Sequence, residues 1–397
     1  MIKRFLPYSR QYISNNDIKR VSSVLKSDFI TQGPEINNFE KNFAKYVGAK
    51  YAVACATGTA ALHLACLALG ISRNSKILTS AVTFVASANC AEFVGANVDF
   101  VDIDHQTHCM SVKDLERKCK QKKIDLVITV HLAGHSSDME KIYKLKKKYK
   151  FNLIEDSCHA LGGKYKNIRV GSSKFSDIST FSFHPVKPIT TAEGGMITTN
   201  NKYIFEKLIL YRTHGIHKNS KKFLNHSLAF DENGEPNRWY YEMSDLGYNY
   251  RITDIQAALG DSQLKKIDKI TSKRNKIAEF YKKEFKNLNG VTIPHTSKGI
   301  YHAYHLFTIL VDFKKFKLSK NIFMKKLASI GIGSQVLYIP VFYQPYYQKK
   351  YKYKFKNFPN SISYYERALS IPIFYDIKRS ELKFISQNIK KLLSPQQ

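Results

Sequence analysis

Short apolar runs alternate with stretches of helical period through the first two hundred residues. YAVAC (51–55), KILTS (76–80), VDFVDI (98–103), IDLVITV (124–130) and FNLIED (151–156) are brief and rich in β-formers, so each predicts a strand. Between them, 59–69, 84–94, 111–121 and 138–149 carry apolar residues at helical spacing. That rhythm predicts an α/β fold, a mostly parallel sheet covered by helices. Two further β-rich runs, ISTFSF and GGMITTN, bracket the stretch SFHPVKPITTAEGG (182–195). Residues 217–241 have few apolar anchors, an NG turn signal and EP, which predicts a loop long enough to suspect function. Residues 253–285 are strongly helical and are expected to lead into a second unit containing the strand HLFTILV, helices and a tail rich in aromatics and lysines. We therefore expect two domains, 1–260 and a smaller α+β domain over 261–397, with the segment up to residue 30 packed on the smaller one. Residues 51–72 contain no charge, but Thr57, Gly58, Thr59 and His63 interrupt the run; strand, turn and buried helix explain it better than a membrane span.

Composition adds modestly to this picture. The 397 residues are 43% hydrophobic, enough for a sizeable core. The formal charge of +31 admits nucleic acid, anionic lipid or phosphorylated small molecules as partners. With no arginine-rich tract, most of that charge reads as solvated lysine. Six cysteines at irregular spacings and without a CxxC pair fit reduced thiols in a cytoplasmic protein. The N-terminus lacks the apolar core of a signal peptide.

Ligands of open α/β sheets collect beyond the C-terminal strand ends, which makes those residues the ones to read for chemistry. After YAVAC, Thr57, Gly58 and Thr59 open a helix, either as a phosphate cradle or as a simple cap. After KILTS, Phe84 offers a face to a planar ring, although taken alone a core role is favoured. After FNLI, Asp156 either meets a positive partner such as a protonated ring nitrogen or caps a helix begun by Ser157. His159 lies one turn on. Lys187 sits between Pro185 and Pro188, which fix φ and remove donors, so its amine is held in a rigid loop. A lysine that forms a Schiff base needs such placement and a lowered pKa. Ser182 and His184 stand close by in sequence for a phosphate. Cradle, stacking ring, ring-nitrogen carboxylate and reactive lysine together make the inventory of a pyridoxal 5'-phosphate (PLP) site.

The ordered segments GTAALHLA, TFVASAN, VDID, IEDSCHALGG, SFHPVKPITTAEGGMITTN, RTHGI and LGYNYRITDIQAALG resemble the DegT/DnrJ/EryC1/StrS family of sugar aminotransferases across nearly the whole chain. The resemblance implies an aspartate-aminotransferase-like architecture (fold type I), Lys187 as the Schiff-base lysine, Asp156 as the pyridinium partner, and Ser182 with the backbone near Gly58 and Thr59 as phosphate ligands. It implies that Asn249 reaches the cofactor phosphate of a second subunit, which makes a homodimer. It also places Tyr8, the segment Asp28, Phe29, Ile30 and Thr31, and the segment Gln335, Val336, Leu337 and Tyr338 at a nucleotide sugar. The segments around Lys187, Asn249 and Gln335 are similar to the branch that moves an amino group from L-glutamate to a UDP-linked keto sugar. One departure is Leu337, where relatives commonly carry histidine, so a polar role at that position is lost. Relatives that dehydrate sugars typically lack the lysine, so Lys187 argues for transamination.

Two other patterns point elsewhere. His131 and His135 are four apart, but HLAGH follows a strand and contains glycine, and HAYH (302–305) reads as structural; no metal is expected. The tail YYQKKYKYKFKNF (346–358) interleaves aromatics and lysines as single-strand nucleic-acid grooves do. A solvated, partly packed surface segment is the preferred reading, with neither nucleic acid nor membrane as a partner.

Overall fold

A computed structural model of the chain describes residues 4–394. Its centre is a seven-stranded sheet of β1 (Tyr51–Cys55), β2 (Lys76–Ser80), β3 (Asn97–Val101), β4 (Leu126–Val130), β5 (Asn152–Asp156), β6 (Ile178–Ser182) and β7 (Gly195–Thr199). In space the strands run β1-β7-β6-β5-β4-β2-β3. β7 is antiparallel to both of its neighbours, β1 and β6, whereas the other pairings are parallel. The C-terminal ends of six strands and the start of β7 therefore share one edge. Every strand that sequence periodicity marked in the first half is present, shortened at one or both ends in β3, β4 and β5.

The helices form where caps and apolar spacing agree. Thr57 caps the helix Gly58–Ala68, whose apolar residues are buried nearly all round against the sheet. Ser111, Asp138 and Asn201 cap Val112–Gln121, Met139–Tyr149 and Lys202–Arg212, each accepting from a backbone N–H of the first turn. The helical stretch 253–285 is two helices, Asp254–Leu264 and Ile267–Phe285. A turn at Lys265 and Lys266 separates them, and the Lys266 ammonium bonds to Ser14, which caps the helix Asn15–Leu25, and to Asp17 within it.

Beyond the sheet, Phe307–Val311 pairs antiparallel with Val291–Thr292 and Ala368–Ile371. The helices Ile267–Phe285, Lys320–Ser329 and Arg379–Leu392 pack on them around Phe307, Ile309, Phe323 and Ile385. Leu6 joins this core and its backbone pairs with Ile332. Arg274, fully buried, donates to the carbonyls of Tyr304, His305 and Ile373 and so ties two backbone segments to its own helix.

The tail turns several of its aromatics inward, while Tyr346 and Phe355 stay exposed. Tyr347 and Phe358 are buried in the same core as the helix Gly58–Ala68, and Tyr353 meets Phe100 edge-on at 4.9 Å. Lys349, Lys350, Lys354 and Lys356 stay exposed. Burial of each of these packed rings contributes roughly 2 kcal/mol to the fold. Segment 217–241 contains the short helix His226–Ala229, and Ile216–His217 just before it pairs with Glu242–Met243. Among the described residues no helix is long and apolar enough to cross a membrane, and no group of three or more His, Cys, Asp and Glu is arranged to hold a metal ion.

Candidate active site

A cavity of about 540 Å³ opens at the shared sheet edge. It is lined from β1 by Thr57, Gly58 and Thr59; from the connection after β2 by Thr83 and Phe84; from β5 by Asp156, Cys158 and His159; and from β6 onward by Ser182, His184, Val186, Lys187 and Glu193. Tyr8, Leu337 and Tyr338 close it from segments distant in sequence. The reversal of direction at β7 explains why residues just before that strand reach the same edge as residues just after the parallel strands.

The cradle is built by small residues. The Thr57 hydroxyl accepts from the Ala60 N–H at 3.0 Å, so the capping role holds for that side chain. What remains for an anion is the helix N-terminus, its free N–H groups and its dipole. A Cβ on Gly58 would lie 2.7 Å from the Ser182 Cβ, so glycine is what lets the helix start and the end of β6 approach one another. This close pairing of an open helix start with a hydroxyl suits a phosphate.

Asp156 ends β5, buried, and a turn rather than a helix follows it; the alternative of a cap for a helix at Ser157 therefore does not hold. Its Oδ1 accepts the Cys158 N–H at 3.2 Å and its Oδ2 the Ser87 hydroxyl at 2.6 Å. Glu155, one residue earlier, points to the opposite face, as strand alternation requires. There it accepts from His131 Nε2 at 2.8 Å and from Ser176 at 2.5 Å. Because a carboxylate only accepts, Nε2 carries the proton and His131 Nδ1 takes the Ser137 N–H at 3.1 Å. That assigns His131 to a structural network.

Phe84 is 54% exposed at the cavity, which overturns its reading as core. Its ring lies 5.7 Å from that of Tyr338. His159 Nδ1 accepts the Ala133 N–H at 3.3 Å, which leaves Nε2–H to donate to the Tyr338 hydroxyl at 3.0 Å. Burial, reinforced by the charge of Lys187, holds the His159 pKa well below the ordinary imidazole value, so the ring is neutral.

Lys187 lies in a tight loop whose own N–H bonds to the His184 carbonyl at 2.9 Å. The loop closes on itself where the Thr190 hydroxyl and the Thr191 N–H both reach the Phe183 carbonyl, and Ser9 donates to the carbonyl of Val186 at 2.9 Å. Burial lowers the pKa of the lysine amine, with Cys158 and Asp156 pulling the other way. Burial pushes the Cys158 thiol well above its usual value, so it faces the cavity as a neutral group.

The structure thus gathers Tyr8, Thr57, Gly58, Thr59, Phe84, Asp156, His159, Ser182, Lys187, Leu337 and Tyr338 around one cavity. Asp28, Phe29, Ile30 and Thr31 are exposed and lie outside it; Thr31 pairs instead with Thr253. Gln335, also exposed, pairs with Ser370, and neither it nor Val336 lines the cavity. Asn249 is exposed, pairs with Thr213, and is likewise outside the cavity of its own chain. Sequence reasoning missed Thr83, Ser87, Cys158 and Glu193. The i, i+4 hydroxyls of TFVAS were the available sign for the first two.

Phosphate cradle, exposed aromatic, buried carboxylate with lone pairs to spare and an amine of lowered pKa fit PLP, and on this sheet they define a PLP-dependent aminotransferase of fold type I. The chain belongs to the DegT/DnrJ/EryC1/StrS aminotransferase family, whose model matches residues 11–390. It is 38% identical over 393 residues, 98% of this chain and 97% of the relative, to a Campylobacter jejuni protein named UDP-4-amino-4,6-dideoxy-N-acetyl-beta-L-altrosamine transaminase. Its fold is similar, with a TM-score of 0.88 and 31% identity over 98% of this chain and 99% of the other, to Helicobacter pylori PseC, an aminotransferase of pseudoaminic acid biosynthesis. A sugar aminotransferase of Streptococcus pneumoniae solved in its PLP form is also similar, with a TM-score of 0.86 and 26% identity over 98% of each chain. The protein is a sugar aminotransferase that uses PLP.

Proposed function

We propose that the enzyme moves the amino group of L-glutamate to C4 of UDP-2-acetamido-2,6-dideoxy-β-L-arabino-hexos-4-ulose. The product is UDP-4-amino-4,6-dideoxy-N-acetyl-β-L-altrosamine, a step of pseudaminic acid synthesis in the cytoplasm. The observation that carries this reading is the identity of 38%, spread over nearly all of both chains, to a transaminase named for that product.

Bound PLP supplies an electron sink for a carbanion formed at the carbon that loses a proton. The residues around it supply position and proton transfer. Burial lowers the pKa of the Lys187 amine, which favours its role as a base; its Nζ takes the proton from Cα of glutamate and, in the second half-reaction, delivers one to C4 of the sugar. The Asp156 carboxylate stabilises positive charge on the ring nitrogen. The Phe84 face supports the ring, and the N–H groups at Gly58 and Thr59 with the Ser182 hydroxyl receive the phosphate. Tyr8, Leu337 and Tyr338 border the space left for the sugar, where Leu337 presents an apolar surface in place of a polar side chain. The two half-reactions reuse one set of groups, so the amine must stay fixed while substrates exchange.

A homodimer is part of this proposal. Leu224, Trp239 and Leu246 are each at least 75% exposed, Phe29 and Ile30 are exposed too, and Asn249 stands outside its own cavity. A second copy covering this surface would remove the exposed apolar area and bring Asn249 to a cavity that is not its own. The test of the substrate offers glutamate and a panel of UDP-linked 4-keto sugars to the purified enzyme. Turnover is expected with the arabino-hexos-4-ulose, whereas turnover with another sugar alone would overturn the substrate and leave the class.

A further inference from the structure

Asp156 is steered by two hydroxyls that come from a different strand connection. Ser87 Oγ lies 2.6 Å from Asp156 Oδ2. An ionised carboxylate can only accept, so the serine donates and its oxygen is free to accept in turn. Thr83 Oγ1, 2.8 Å from Ser87 Oγ, fills that place, giving a chain that runs from Thr83 through Ser87 to Asp156. Both residues are fully buried. Thr83 precedes the helix Ala86–Phe93 and Ser87 sits in its first turn, while Phe84, between them in sequence, faces the cavity. One short segment thus presents the aromatic ring to the ligand and grips the carboxylate from behind.

We propose that Thr83 and Ser87 are positioning residues for the cofactor. They fix the rotation of the Asp156 carboxylate so that its unoccupied lone pairs face the ring nitrogen, and they support its negative charge with a donated hydrogen bond. Hydrogen bonds to a charged acceptor are short and strong, and a chain of them is polarised in one direction. The Cys158 N–H on Oδ1 holds the other oxygen. With both oxygens tethered, the carboxylate is set before PLP arrives. The inference rests on the reading of Asp156 as the ring-nitrogen partner.

The experiment compares Ser87→Ala, Thr83→Val and Thr83→Ser with the unaltered enzyme, reading the PLP dissociation constant by fluorescence, the pH titration of the bound cofactor's absorbance, and the melting temperature of the apoprotein. Ser87→Ala is expected to weaken PLP about tenfold and raise the absorbance pKa by about one unit. Thr83→Val removes the hydroxyl at constant shape and should weaken PLP about threefold. Thr83→Ser, which keeps the hydroxyl, should behave as the unaltered enzyme. In an Asp156→Asn background Ser87→Ala should add little, since its route to the cofactor is gone. Unchanged affinity and absorbance in Ser87→Ala, or an undiminished effect in the Asp156→Asn background, would overturn the inference. If Ser87→Ala does not fold, the Thr83→Val and Thr83→Ser pair decides it. Failure of the unaltered enzyme to take up PLP would instead overturn the reading on which it rests.

Discussion

The sheet edge and the surface around residues 217–251, which carries Asn249, were both expected to serve a ligand, yet they are built in opposite ways. At the edge, each group follows a strand directly, and the sheet brings Thr59, Phe84, Asp156, Ser182 and Lys187 together whatever else the molecule does. On the other surface, Leu224, Trp239 and Leu246 project outward, and Asn249 lies outside the cavity of its own chain. A parallel sheet is a self-sufficient way to converge side chains from distant positions. The second surface gains a purpose only from something laid against it, which in our proposal is another copy of the chain.

The largest effect should come from the edge. Lys187→Ala removes the amine that moves the proton and should lower kcat by at least about a thousandfold with the fold intact, checked by single-turnover assay and circular dichroism. Asp156→Asn should cost about a hundredfold or more and weaken PLP, because the ring nitrogen loses its charged partner. Equal losses of activity and of melting temperature in these two variants would show damage to the fold instead.

On the second surface, Trp239→Ala combined with Leu246→Asp should shift the sedimenting species toward monomer, with activity falling in step and recovering at higher protein concentration. A variant that stays dimeric, or a monomer with full activity, would break the contrast between the regions. Smaller still is an effect of acid. Burial holds His108 and His135 at about 4, whereas the same side chains in the unfolded chain titrate near 6.5. Below pH 6.5 the unfolded state binds more protons, so the stability these neutral rings contribute is complete above that pH and is lost as pH falls toward 4. At pH 5 the loss is roughly 2 kcal/mol per histidine, read as a lower urea midpoint than at pH 7. A midpoint that does not move between pH 7 and pH 5 would contradict it.

The strands were legible because YAVAC, KILTS and FNLIED are short apolar runs, and their C-terminal neighbours were legible as chemistry for the same reason. Phe84 was legible only in company: alone, a phenylalanine between Thr83 and Val85 reads as core, and it became a stacking ring only beside the cradle, the carboxylate and the lysine. Ser87 and Thr83 carry no sign of their partner, because Asp156 is sixty-nine residues from Ser87 and only the order of β2, β4 and β5 brings them together. Glu193 reaches the edge through the antiparallel course of β7, which periodicity alone does not reveal. Asp28 to Thr31 and Asn249 were assigned by resemblance alone, and in a single chain they lie outside the cavity. The tail aromatics were ambiguous because alternation of Lys and Tyr describes equally a binding groove and a strap packed over Phe100.

The central claim is that the lysine fixed between Pro185 and Pro188 carries the cofactor. Borohydride reduction of the yellow holoenzyme, followed by peptide mass mapping, tests it most directly. A pyridoxyl group on Lys187, with loss of the visible absorbance, is the predicted result; an unmodified Lys187, or the group on any other lysine, would contradict the account.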